Sequence, residues 1–102
     1  MKYIYLLESH NNEHKIGVTN NIDKRIKSLN TGTANNLILL KSFNSEYPFK
    51  VEKMIHKTFN KKKINREWFK LSIDDINKFE PLCFEFENRF KILSESDNPF
   101  FN

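Results

Sequence analysis

Five polar side chains and one glycine stand out on otherwise apolar stretches of the sequence: Tyr5, Lys15, Gly17, Arg25, Glu52 and His56. A phenol, an ammonium, a guanidinium, a carboxylate and an imidazole are groups that bind anions and move protons. Other chemistries are excluded by what is missing. No Ser-His-Asp set stands out. Cys83 is the only cysteine, which rules out an internal disulfide and a multi-thiolate zinc site. Gly17 and Gly32 are the only glycines, so neither a GxxxxGK phosphate loop nor a dinucleotide-binding glycine motif exists.

The elements that must position these residues follow from patterning. Residues 2–8, rich in Tyr, Ile and Leu, and residues 14–19 flank the turn-formers 9–13 and predict a β-hairpin. Tyr5 lies on its first strand, Lys15 and Gly17 on its second. A glycine inside a strand marks a bulge or a close approach by another group. Thr19 or Asn20 offers an N-cap for a helix whose stripe is Ile22, Ile26 and Leu29, with Arg25 at its border and a stop at Asn30-Thr31-Gly32. Leu37 to Leu40 reads as a central strand. Pro48, preceded by Ser45 or Glu46, opens a helix over 47–60 along Val51, Met54, Ile55, Thr58 and Phe59. Glu52 and His56, four apart, share one side of it. Lys61-Lys62-Lys63 ends it, at the negative pole of the helix dipole. Glu67 to Leu71 is a short extended segment. Ser72-x-x-Asp75 is a capping box for a helix along Ile73, Ile76 and Phe79; Pro81 kinks or restarts it, and Leu82, Phe86, Phe90 and Leu93 trace a second segment. The fold class is α+β: a small three-stranded antiparallel sheet flanked by helices, with extra C-terminal helix or helices.

Charge divides the chain. Residues 1–73 carry 14 Lys/Arg and 6 Asp/Glu, a net of +8, whereas residues 74–102 carry 3 and 7, a net of −4. A basic body suits a polyanion, and Lys61, Lys62, Lys63 and Arg66 are its densest run. The counts of 14 Asn, 14 Lys and 10 Ile against 3 Arg also suit AT-rich codons, so some lysines reflect base composition. No apolar run approaches membrane-spanning length and the first residues do not make a signal peptide, so the reading is an intracellular domain, cytoplasmic or nuclear, in a host cell if viral.

The order and spacing of these residues resemble the GIY-YIG nuclease superfamily, above all its small phage- and virus-type subgroup. Tyr3-Ile4-Tyr5 occupies the place of the first motif and Lys15-Ile16-Gly17 that of the second. Arg25 follows Gly17 by eight residues, the separation of the family's helical arginine. Val51-Glu52-x-x-x-His56-x-x-Phe59 followed by Glu67-Trp68-Phe69 is similar to the subgroup's own signature. The resemblance covers residues 2–73. It divides the chain into a nuclease-like part, 1–73, and an acidic, Phe-rich helical extension, 74–102, packed on the same domain. Lys15 stands where most members carry a catalytic tyrosine, although the subgroup carries lysine there.

What the resemblance implies is metal-dependent hydrolysis of DNA phosphodiester bonds. Glu52 would hold one Mg²⁺ or Mn²⁺. Arg25 would grip the scissile phosphate, and Tyr5 would position or deprotonate water. Lys15 would supply a cationic field beside it, and His56, or His14 next to Lys15, would carry protons. Lys61, Lys62, Lys63 and Arg66 would track the DNA backbone. Residue type alone leaves plainer readings open: Lys15 as an exposed hairpin lysine, Arg25 paired with Asp23 or a later carboxylate, His56 packing or capping. Two rival functions stand beside the nuclease. One is a non-catalytic nucleic-acid-binding module of the same fold. The other is an interaction domain that forms a homodimer through Phe84, Phe86, Phe90, Phe100 and Phe101.

Overall fold

A computed structural model of the chain describes residues 2–31 and 36–95. The predicted hairpin forms with the predicted bounds: β1 (Lys2–Glu8) pairs antiparallel with β2 (His14–Thr19), placing Tyr5 opposite Gly17 and Leu7 opposite Lys15. Its turn is held by Ser9, whose Oγ accepts the N–H groups of Asn11 and Glu13, and by Asn12 in the left-handed region at φ 59°, a conformation asparagine tolerates. Helix α1 (Ile22–Asn30) follows. Its cap is Asn21, not Thr19 or Asn20: Asn21 Oδ1 accepts from the Lys24 N–H at 3.0 Å, while Thr19 Oγ1 accepts the Asn21 N–H. Gly32, the expected stop, lies outside the described residues, and the helix ends at Thr31.

Strand β3 (Ile38–Ser45) pairs with β1, not at the centre of the sheet but along one edge. Leucine and isoleucine content suggests a central strand; instead Ile38 and Leu39 reach solvent, and the interior places go to β1, β2 and the short strand Trp68–Phe69. Helix α2 (Pro48–Thr58) starts with Pro48 in its first turn after the cap residue Tyr47, which makes no side-chain cap bond. A 3₁₀ turn (Asn60–Lys62) leads into two short strands, β4 (Lys63–Asn65) and β5 (Trp68–Phe69). The lysine run is thus an entry into a hairpin as well as a helix terminus. β5 pairs with β2, giving a five-stranded, wholly antiparallel sheet in the order β3-β1-β2-β5-β4. The α+β class and antiparallel sheet stand as read, with two strands more than the composition suggested.

A single 23-residue helix, α3 (Ile73–Glu95), closes the described chain, opened by the predicted capping box: the Ser72 N–H donates to Asp75 Oδ2 at 2.9 Å and the Asp75 N–H to Ser72 Oγ at 3.2 Å. Lys62 also pairs with Asp75. The desolvation Asp75 suffers is outweighed by Lys62 and Ser72, which hold its carboxyl below the usual range. The helix does not restart at Pro81 but runs through it. Pro81 is exposed, while Phe79 before it and Cys83 and Phe86 after it are buried in one core. Burial on both sides of the ring offsets the roughly 3 kcal/mol that an internal proline costs. The Cys83 thiol, wholly enclosed there, is pushed up to about 12 and is no nucleophile.

Strand alternation divides the core between the two sheet faces. Ile4, Leu6 and Ile16 face α2 and α3, meeting Val51, Ile55, Phe59 and Phe79. Tyr5 and Leu7 face the other way, toward Leu37, with Ile26 and Leu29 of α1 and Trp68 packed around them. Of the phenylalanines named for a homodimer, Phe86 belongs to the first core and Phe90 packs against it on Tyr47, half-buried; Phe84 is exposed, and Phe100 and Phe101 lie outside the described residues. Helix α3 is tied to the end of β3 and the turn before α2 by Glu87, whose Oε1 accepts the Ser45 hydroxyl at 2.5 Å and whose Oε2 accepts the Glu46 N–H at 2.8 Å. No helix among the described residues is long and apolar enough to cross a membrane.

Candidate active site

Because β5 is two residues long, its pairing to β2 ends at Lys15, and the outer edge of β2 is left without a strand partner from Ile16 onward. Two groups cover it. The Ile16 N–H donates to the Glu67 carbonyl at 3.1 Å, and the Ile16 carbonyl accepts from His56 Nε2 at 3.0 Å. This edge is where residues far apart in sequence meet.

From the α1 side comes the phenol of Tyr5, with its ring lying over Gly17. A β-carbon built on Gly17 would come within 2.6 Å of Tyr5 Cζ and closer still to the hydroxyl oxygen, so only glycine admits this ring. Arg25 Nε reaches the Tyr5 hydroxyl at 3.4 Å, a long bond that leaves the terminal guanidinium nitrogens to other partners. Arg25 therefore meets Tyr5, not Asp23. That hydrogen bond, and beyond it the Glu67 charge, keep the guanidinium firmly protonated.

Lys15 projects to the same face. It is no exposed hairpin lysine: its side chain is 10% exposed, Nζ lies 2.9 Å from Glu67 Oε2, and the ammonium sits 5.3 Å from the centre of the Trp68 ring. Alternation sends the neighbouring His14 to the opposite face. There its Nδ1 accepts the Leu71 N–H at 3.2 Å and its Nε2 donates to Glu8 at 2.9 Å. With both ring nitrogens engaged in the core, His14 is a clip between β2 and the chain after β5, not a proton carrier beside Lys15.

From α2 come Glu52 and His56, side by side with Nε2 and Oε2 3.8 Å apart. The Ile16 carbonyl fixes the proton on His56 Nε2, and Phe69 packs edge-on at 5.0 Å between ring centres. Burial lowers the imidazole's pKa, with Lys63 acting the same way against the pull of the Ile16 carbonyl. His56 is thus a neutral ring with Nδ1 as its acceptor. Burial, reinforced by the Glu67 charge and opposed by Lys15, raises the Glu52 carboxyl to about 7.

Glu67 is the participant that residue-by-residue reasoning missed. Its charge is felt at Arg25, Glu52 and His56, and its carboxylate holds Lys15. The one available signal was its place in the Glu67-Trp68-Phe69 run. Of the basic run, Lys62 is committed to Asp75, whereas Lys61, Lys63 and Arg66 are exposed, with Lys63 near enough for His56 to sense its charge.

Among the described residues no group of three or more His, Cys, Asp or Glu side chains is disposed to hold a metal ion. The donor set nonetheless suits a hard divalent cation of the Mg²⁺ type, which takes one or two carboxylates and retains water. Glu52 is a half-buried carboxyl whose charged form is disfavoured by desolvation, with a second carboxylate, Glu67, in its field. Taken together the rim of this one strand carries a phenol, two cations, two carboxylates and an imidazole.

Comparison with known proteins places a family on this arrangement: the model described as the T5orf172 domain matches residues 2–83. The match runs past the β5 region and ten residues beyond Ile73 into α3, further than the motifs reached. No curated protein and no solved structure matches the chain.

Proposed function

The chain belongs to the T5orf172 domain family, which is associated with phage-type and GIY-YIG-like nuclease domains, and we propose that it is a metal-dependent endonuclease hydrolysing DNA phosphodiester bonds. One observation carries the reading: Tyr5, Lys15, Arg25 and Glu52, drawn from four elements, converge at the open rim of β2 beside Gly17. Packing alone does not call for two cations and a half-buried carboxyl in one place.

Each group has a task that its geometry suits. Arg25, anchored through Nε on Tyr5, presents its planar fork to a phosphate. The Tyr5 hydroxyl, accepting from Arg25, orients the attacking water and takes or passes its proton. The Lys15 ammonium adds positive charge where the phosphate's negative charge grows. His56, neutral and fixed by Ile16, offers Nδ1 as an acceptor at the rim. Glu52, with Glu67 beside it, is the carboxylate that would hold Mg²⁺ or Mn²⁺; the bound ion supplies charge neutralisation at the phosphate. Lys61, Lys63 and Arg66 flank the cleft as contacts for the DNA backbone, positioning the strand without reading its sequence.

The test is nicking of supercoiled plasmid with Mg²⁺ or Mn²⁺ by the wild type, Glu52→Ala and Arg25→Ala. Cleavage by the wild type, falling at least a hundredfold in both variants, is expected from loss of the cation site and of the phosphate clamp. Equal cleavage by all three sinks the assignment. No cleavage by any, with DNA binding that weakens as salt rises, makes the domain a nucleic-acid-binding module instead.

A further inference from the structure

Lys15 and Glu67 form an unequal pair. The lysine side chain is 10% exposed and the glutamate 39%, so Glu67 keeps water on one side, whereas the Lys15 ammonium has the protein for surroundings. Loss of Lys15 leaves a carboxylate that solvent can still hydrate. Loss of Glu67 leaves a buried ammonium without its counter-charge, the costly way to break such a pair. A buried ion pair is no better for stability than an apolar side chain of the same volume, so packing does not explain a lysine at this strand position.

The backbone around Glu67 is fixed on both sides. Its carbonyl accepts the N–H of Ile16, the residue next to Lys15, so main chain and side chain of Glu67 grip adjacent residues of β2. Trp68, paired across the sheet with Lys15, lays its ring beside the ammonium. The preceding residue, Arg66, holds φ at 40°, a left-handed conformation unfavourable for a side chain of that size. Such strain persists where surrounding structure demands a particular presentation of the chain.

Building on the nuclease reading, we propose that Glu67 is a positioning residue that clamps the Lys15 ammonium against Trp68 and aims it into the cleft between Tyr5 and Glu52. The lysine does the work on the phosphate; Glu67 restricts where it stands and is itself held by the strained turn.

The test is amine-acetylation footprinting of the full chain without DNA, read by mass spectrometry, together with nicking kinetics. Lys15 of the wild type is expected to label many-fold more slowly than the exposed Lys61. Its labelling rises in Glu67→Gln, which keeps a hydrogen bond but no charge, and rises further in Glu67→Ala. The nicking kcat of Glu67→Gln falls by about 10²-fold at unchanged KM, the size expected when a reacting group is misplaced by an ångström. If Glu67→Ala does not fold, the Gln variant decides. Labelling of wild-type Lys15 at the rate of Lys61, protection unchanged in the variants, or wild-type kcat in Glu67→Gln overturns the proposal. A wild type that shows the footprint order but never nicks supports the clamp and refutes the nuclease reading instead.

Discussion

The ring of Tyr5 occupies the space where a side chain at Gly17 would be: a β-carbon there would lie 2.6 Å from Cζ and 3.2 Å from Cε1. The two residues face each other across the β1–β2 ladder. Gly17→Ala therefore displaces the phenol or parts the strands, and overpacking of this kind costs about 1–3 kcal/mol. The expected outcome is a lower thermal midpoint together with lost nicking. Tyr5→Phe should not rescue the midpoint, because the ring carbon that clashes is still present. Full recovery in the Gly17→Ala/Tyr5→Phe double variant would show that the hydroxyl alone fills the space.

The fold was legible where local chemistry and tertiary packing agree. The hairpin, the Ser72–Asp75 box and the proline start of α2 each depend on neighbours in sequence, and each appears as expected. Position in a sheet does not depend on neighbours: Leu37 to Leu40 looked interior, but whether a strand has one partner or two is settled by chain segments elsewhere. Pro81 illustrates the same limit, since the burial that outweighs it lies a turn away on either side and against α2 and β3. At the site, Tyr5, Gly17, Arg25 and Glu52 could be found by type and spacing. Glu67 could not, because its importance lies in a contact 52 residues away in sequence.

Glu52 makes stability fall as pH rises. Its folded-state pKa, about 7, lies above its ordinary value of 4.5, so folding favours the protonated form. The penalty is absent below about pH 4.5, develops between there and pH 7, and is complete above it. After allowance for solvent screening it amounts to about 1–2 kcal/mol. Glu52→Gln should match the wild type in thermal midpoint at pH 4.5 and exceed it at pH 8. A midpoint difference that does not change with pH would contradict the assignment. On the proposed reading Mg²⁺ competes with the proton for the same oxygens, so its affinity should rise with pH up to about 7 and level off, as titration calorimetry can measure.

His14 carries structure instead of protons. Replacing it with alanine leaves the Leu71 N–H and the Glu8 carboxylate without their shared partner and opens a space between β2 and the chain after β5. A loss of about 2–4 kcal/mol is expected from denaturant melts. Whatever fraction stays folded should nick at the wild-type rate per folded molecule. A His14→Ala protein of unchanged stability but abolished cleavage would return this histidine to the active site.

The grip of Glu87 on Ser45 and Glu46 gives the last helix a stake in the proposed chemistry. The family pattern closes at residue 83, before Phe86, Glu87 and Phe90. Yet those residues brace the start of α2, the helix that carries Glu52 one turn further on. The boundary by which the domain is recognised thus falls short of the boundary within which it can hold its own carboxylate in place. A fragment trimmed to the recognisable part would keep every proposed catalytic residue and lose the strut that keeps one of them still.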